Sequence, residues 1–175
     1  MNFKKSLLIV PFLVFTSFNL PKNIQKKVNK VIKATFEVEL FTLEAVSFPD
    51  EITKSLPSKF GNENFFKVLG EDVLMGYVYI SKAPSKTDYF DYLVVFDKEL
   101  IIKASKILVY REDYGGEIGS KRWLKQLIDK SQNDKLIYGD NIAAISGATI
   151  SVKTMTNAVN KLLESIKILS QKELL

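Results

Sequence analysis

The chemistry-bearing part of this chain is a run of small residues and hydroxyls, Ala144-Ile145-Ser146-Gly147-Ala148-Thr149-Ile150-Ser151. It stands directly before the clearest helical pattern, in which Val152, Met155, Val159, Leu162, Leu163, Ile166 and Leu169 hold one face. A helix start has unsatisfied backbone N–H groups and the positive end of the macrodipole, and both favour an anion. Gly147 and Ala148 let the backbone approach closely. Thr149 places a hydroxyl where a phosphate could be bonded to it, and Ser151 reads as the N-cap. A second polar cluster, Arg111-Glu112-Asp113-Tyr114-Gly115-Gly116, offers carboxylates, an aromatic ring and a flexible bend.

What the chain lacks narrows the chemistry further. It has no Cys and no His, which removes disulfides and the usual ligands of zinc, iron–sulfur clusters, covalent haem and most blue copper. The same zeros remove the Cys or His nucleophile, the Ser-His-Asp triad and the common neutral-pH proton shuttle. Carboxylates, hydroxyls, lysines or an organic cofactor remain. Net charge is +5, with an early lysine cluster at Lys22, Lys26, Lys27, Lys30 and Lys33. Lysines gathered there point to a membrane surface. Nucleic-acid readers show Arg forks or aromatic-basic interleaving instead, so nucleic acid is not expected as a partner.

The elements that must position these residues follow from periodicity. With 175 residues, 12 Phe, 7 Tyr and 1 Trp, one domain with one core is expected. Ile24, Val28, Val31 and Ile32 form an amphipathic helical stripe over 21–35, able to lie on lipid or to pack on the domain. Phe36, Val38 and Leu40 alternate with Glu37 and Glu39, predicting a half-buried strand. Residues 49–61 read as loop with one helical turn. Strands are predicted at Phe65 to Leu69, Val73 to Ile80, Tyr92 to Phe96 and Ile101 to Tyr110, and the short turns between them require antiparallel neighbours. Trp123, Leu124, Leu127 and Ile128 give a further helical face. The fold class is therefore α+β: a twisted antiparallel sheet with packed helices, closed by a C-terminal amphipathic helix.

The first twenty residues read as an address. Lys4 and Lys5 precede the apolar run Leu7 to Phe18, broken only by Pro11, Thr16 and Ser17, which predicts a signal peptide or membrane anchor over 1–20. The domain proper is then expected over 36–175.

The Ser146-Gly147-Ala148-Thr149 run resembles the signature of the FMN-binding domain family, preceded by an apolar residue and followed by a C-terminal helix. That family includes flavin-carrying subunits of membrane ion-translocating electron-transfer complexes. Glu112, Gly115 and Gly116, Trp123 and Gln126 fall in the order of a second family stretch, and Gly76-Tyr77-Val78 resembles its Gly-Tyr strand. The resemblance covers roughly the C-terminal 100 residues. It implies FMN as cofactor, joined through its phosphate to Thr149 by a flavin transferase using FAD, with Ser146, Gly147, Ala148, Glu112, Tyr114, Gly115 and Gly116 around it. Tyr110, Tyr114 and Trp123 are candidates to cover the flavin ring, although core packing is the commoner role of such aromatics, and Arg111 or Lys121 is a candidate to face the phosphate or a ring carbonyl, although exposed surface charge is the default. Two departures stand out. The Asp that covalently loaded members usually have six residues before the Thr is Ala143 here, with Asp140 three residues further upstream. The family's Gly-rich segment between the middle strands is replaced by the polar and aromatic stretch from Lys82 to Tyr92.

The expected function is an exported, periplasmic or membrane-facing electron carrier, relaying electrons between membrane redox proteins and without substrate turnover of its own. A cofactor-free cell-envelope binding or structural module, in which Ser146 to Thr149 only caps a helix, is the alternative. A flavin-dependent reductase acting on a small molecule is a third reading and needs a substrate site.

Overall fold

The computed structural model describes residues 21–175, so the expected export signal over 1–20 lies outside the described residues. Five strands form one antiparallel sheet in sequence order: β1 (Thr42–Ala45), β2 (Phe65–Gly70), β3 (Val73–Pro84), β4 (Tyr89–Asp97) and β5 (Ile102–Val109). From β2 to β5 consecutive strands are hairpin neighbours because their connections are short, whereas β1 reaches β2 through a longer connection that contains a helical turn. At the β2–β3 turn Glu71 and Asp72 both take positive φ, 48° and 63°, the handedness that matches strand twist. The strands β3 and β4 run beyond their expected ends into a long hairpin, pairing Ser81 with Tyr92, Ala83 with Phe90 and Pro84 with Tyr89. Ala83, Phe90 and Tyr92 are buried there, which extends the apolar alternation past Ile80.

Both faces of the sheet are covered, giving three layers. On one face Phe65, Tyr79, Val94, Phe96 and Ile102 pack with Val152, Met155, Val159, Leu162 and Ile166 of α4 (Thr149–Gln171). On the other, Val68, Val78, Ile80, Leu93, Val95 and Leu108 meet Val28 and Ile32 of α1 (Lys22–Phe36). Each such side chain, fully withdrawn from water, contributes about 1.5–3 kcal/mol before entropy is counted. The apolar stripe of this basic helix thus packs on the domain. Lys27 donates to the Leu108 carbonyl at 2.6 Å, while Phe36, at the other end of α1, lies over Gly76, which pairs with Asp97. The helix therefore runs alongside β4 and in the same direction.

Two expectations fail locally. The strand predicted over Phe36 to Leu40 does not form: Phe36 is the last helical residue and Glu37 takes the left-handed conformation at φ 55°, its N–H bonded to the Lys33 carbonyl. Leu40 is 87% exposed, so the alternation there marked no buried face, and β1 begins at Thr42. Ser151 is not the N-cap either, because α4 starts at Thr149 and Ser151 lies buried inside its first turn. The Pro49 to Gly61 segment contains α2 (Asp50–Ser55). The face containing Trp123 forms α3 (Lys121–Leu124), capped by Ser120, which accepts from the Trp123 N–H, and continues as a 3-10 turn over Lys125–Leu127. Among the described residues no helix is long and apolar enough to cross a membrane.

Candidate functional site

Three loops meet where α4 begins. The first is the small-residue run itself. Gly147 has φ 81°, a conformation that L side chains rarely adopt, and this turns the chain into the helix. Val152 N–H makes a helical bond to the Ala148 carbonyl at 2.9 Å, so the amides of Thr149, Ile150 and Ser151 belong to the free first turn. No side chain caps this 23-residue helix and no acidic residue lies in its first turn. The run's hydroxyls are thus not used as caps. Ser151 shares a hydrogen bond with the Tyr110 hydroxyl at 3.0 Å instead, and Thr149 is exposed.

The second loop follows β5 and brings the Glu112 to Gly116 stretch against the first. Gly115, at φ 82°, is buried so tightly that a Cβ there would stand 2.9 Å from the Ala148 Cβ, 2.9 Å from the Tyr110 hydroxyl and 3.0 Å from the Gly147 carbonyl. Only glycine satisfies both demands. The two glycine-bearing stretches, far apart in sequence, are therefore one packed unit.

The third loop is the tip of the β3–β4 hairpin, Ser85 to Asp88, closed by Ser85 N–H donating to the Asp88 carbonyl at 2.7 Å. Glu112 holds it. Its carboxylate accepts from Thr87 N–H at 2.7 Å, Thr87 hydroxyl at 2.9 Å and Asp88 N–H at 3.3 Å. The buried Ser85 hydroxyl, which closes no hydrogen bond of ordinary geometry, faces the same carboxylate. The Ser85 hydroxyl first, then the Thr87 amide, hold the Glu112 carboxyl down at about 2, so it is ionised at neutral pH.

Between the three loops lies a cleft of about 490 Å³. Thr149, Gly147, Ala148, Glu112 and Tyr114 line it, as do Tyr110, Asp113, Lys86, Thr87, Ile150 and Ser151. Of the remaining residues singled out from the sequence, Gly115 backs the wall, whereas Ser146 and Gly116 are exposed beside the cleft without lining it. Tyr114 is 82% exposed and Ile150 47%, leaving two apolar surfaces at the mouth.

Several residues have other work. Trp123 is buried, and its indole N–H donates to the Ala143 carbonyl at 2.9 Å while Gln126 accepts from the Ala143 N–H at 2.7 Å. The pair fixes the segment leading into the run, and Trp123 covers nothing in the cleft. Arg111 turns away to Asp91 at 2.6 Å and the Tyr89 carbonyl at 2.7 Å. Lys121 does not line the cleft; Lys86 is the cation that does. Lys86 and Thr87 were missed because they stand more than sixty residues before Thr149 in an otherwise ordinary polar turn.

Residues 88–164 match the FMN-binding domain family. By that match the chain carries an FMN-binding domain, and FMN is the cofactor its residues have to hold. The matched segment contains β4, β5, both glycine stretches and most of α4. A similar solved structure is the crystal structure of Shewanella oneidensis NqrC, at 19% identity and a TM-score of 0.48, covering 66% of this chain and 61% of that chain. The similarity thus spans less than two thirds of that protein's length. No functionally curated protein matches the chain.

Proposed function

Starting from an FMN-binding domain over residues 88–164, we infer that this chain is an exported electron carrier whose flavin is tethered through its phosphate to Thr149. The observation that carries the tether is the start of α4: a 23-residue helix with no side-chain cap, no acidic first turn and an exposed threonine at its first position. Such an end attracts a phosphate. The first-turn amides bind the phosphate oxygens, Lys86 adds positive charge, and Gly147 keeps the approach free of side chains. FMN supplies the redox chemistry when bound. Tyr110 and Tyr114 offer aromatic surface for a flat ring, and the carboxylate of Glu112 serves the hairpin and stays off the phosphate.

Attachment by a transferase using FAD is a phosphoester exchange in which the Thr149 hydroxyl displaces AMP from the FAD pyrophosphate and gives up its proton. A covalent tether prevents loss of FMN outside the cytoplasm, where none is resupplied. The export reading rests on Lys4, Lys5 and the Leu7 to Phe18 run, and membrane redox proteins are the partners such a location provides. The carrier needs no acid or base of its own.

Intact mass under denaturing conditions tests the tether. Protein exported in the presence of a flavin transferase is expected to carry one added FMN, and Thr149→Val is expected to carry none while keeping its fold. Ser146→Ala is expected to retain the adduct, since Ser146 does not line the cleft. A wild-type protein that neither carries flavin after denaturation nor binds FMN when native overturns the reading.

A further inference from the structure

A second cleft, larger than the first at about 820 Å³, lies on the other side of the β3–β4 hairpin. At its edge Thr154 of α4 donates its hydroxyl to the Pro84 carbonyl at 2.6 Å. Thr154 lies five residues beyond Thr149, about 7.5 Å of helix rise. Nothing in the tethered-carrier reading uses this space.

Its lining has a consistent chemistry. It includes Tyr79 and Tyr92, both at most 2% exposed, and Tyr89, which is 55% exposed. Burial pushes the Tyr79 and Tyr92 phenols up, so they stay protonated. Tyr79 is held in place by donating to the Lys59 carbonyl at 2.9 Å. Around the rim stand Lys59, Lys82 and Lys161, and no Asp or Glu lines the cleft. Lys82 leans toward Asp91 at 3.9 Å, whereas Lys59 and Lys161 make no ion pair among the described residues. Two unpaired lysines, Lys59 and Lys161, beside the exposed ring of Tyr89 and an apolar lining without Asp or Glu favour a ligand that is flat and apolar in its body and negative at one end.

We propose that this cleft is a binding site for a planar aromatic anion, separate from the site at Thr149. The ring of Tyr89 and the apolar lining take the body of the ligand, and Lys59 and Lys161 take its charge.

Anthraquinone-2-sulfonate is the probe for calorimetric titration of the flavin-free and the flavin-loaded protein. Saturable one-to-one binding is expected in both, with affinity falling as salt rises. Lys161→Glu, on an exposed helix face, is expected to weaken binding at least tenfold without changing the melting temperature. Ala158→Trp is expected to fill the cleft and abolish binding, and Thr149→Val to leave it unchanged, which separates this site from the tether. Non-saturable binding, or equal affinity for wild type and Lys161→Glu, overturns the proposal. So does binding to flavin-free protein that disappears on flavin loading, because the cleft would then belong to the flavin itself.

Discussion

Glu112 is a residue singled out from the sequence that the fold also gives a structural task. It lines the motif cleft, yet its two oxygens are committed to Thr87 and Asp88. Its folded carboxyl, at about 2, lies below its ordinary value of 4.5, so the folded state gains from the ionised form. The gain is complete above about pH 4.5 and is lost as pH falls toward 2. Glu112→Gln is therefore expected to flatten the acid side of the stability profile in that window, read by thermal melts at successive pH values, and to raise proteolytic nicking at Ser85 to Asp88. Ala143 gives a second test. Its side chain is exposed while its backbone is clamped by Trp123 and Gln126, so Ala143→Asp fits without disturbing the loop. Flavin loading under limiting transferase is expected to rise in a time course, and unchanged loading would mean that the family's acidic residue is dispensable here. The Ser-Gly-Ala-Thr run was legible because glycine, small residues and a helical stripe fall in consecutive positions. The role of Ser151 was not, because its hydroxyl is taken by Tyr110, a partner 41 residues away.

At the scale of elements, the site is a junction of three loops held by one helix start. Gly115 is its tightest point, and Gly115→Ala combines a strained φ with contact on backbone and side chain. A loss of about 1–3 kcal/mol in denaturant unfolding is expected. Gly116→Ala is the control: its Cβ would meet nothing within 4 Å and its φ is not positive, so a change within about 0.5 kcal/mol is expected. Strands β2 to β5 were readable from runs of β-branched and aromatic residues between short turns. The missed boundary at Phe36 has a plain cause. The sequence Phe36-Glu37-Val38-Glu39-Leu40 alternates like a strand, yet the helical stripe of α1 reaches Phe36, and a left-handed residue ends it before any ladder can begin. The contribution of the β3–β4 tip was not legible, since nothing local in Lys86 and Thr87 announces a neighbour across the fold.

At the scale of the molecule, the sheet is enclosed by α4 on one face and α1 on the other. Ile32 is fully buried in the smaller core, and Ile32→Ala is expected to cost about 2–5 kcal/mol in equilibrium unfolding, whereas removing an exposed lysine of the same helix is expected to cost little. On the proposed location, cell fractionation is expected to recover the native protein in the envelope, and recovery of the full-length chain in the cytosol would defeat that reading. The direction of α1 adds a geometric consequence. Its last residue lies by Gly76 and Asp97, and Lys27 lies by Leu108, so Pro21 stands at the pole of the domain where β4 starts, Tyr110 ends its strand's run and α4 begins. A body moored near one pole turns that pole toward its mooring. On the proposed location, an anchor over residues 1–20 would leave the domain from this pole, so Thr149 would face the surface that holds the domain and the path of an electron between them would be short.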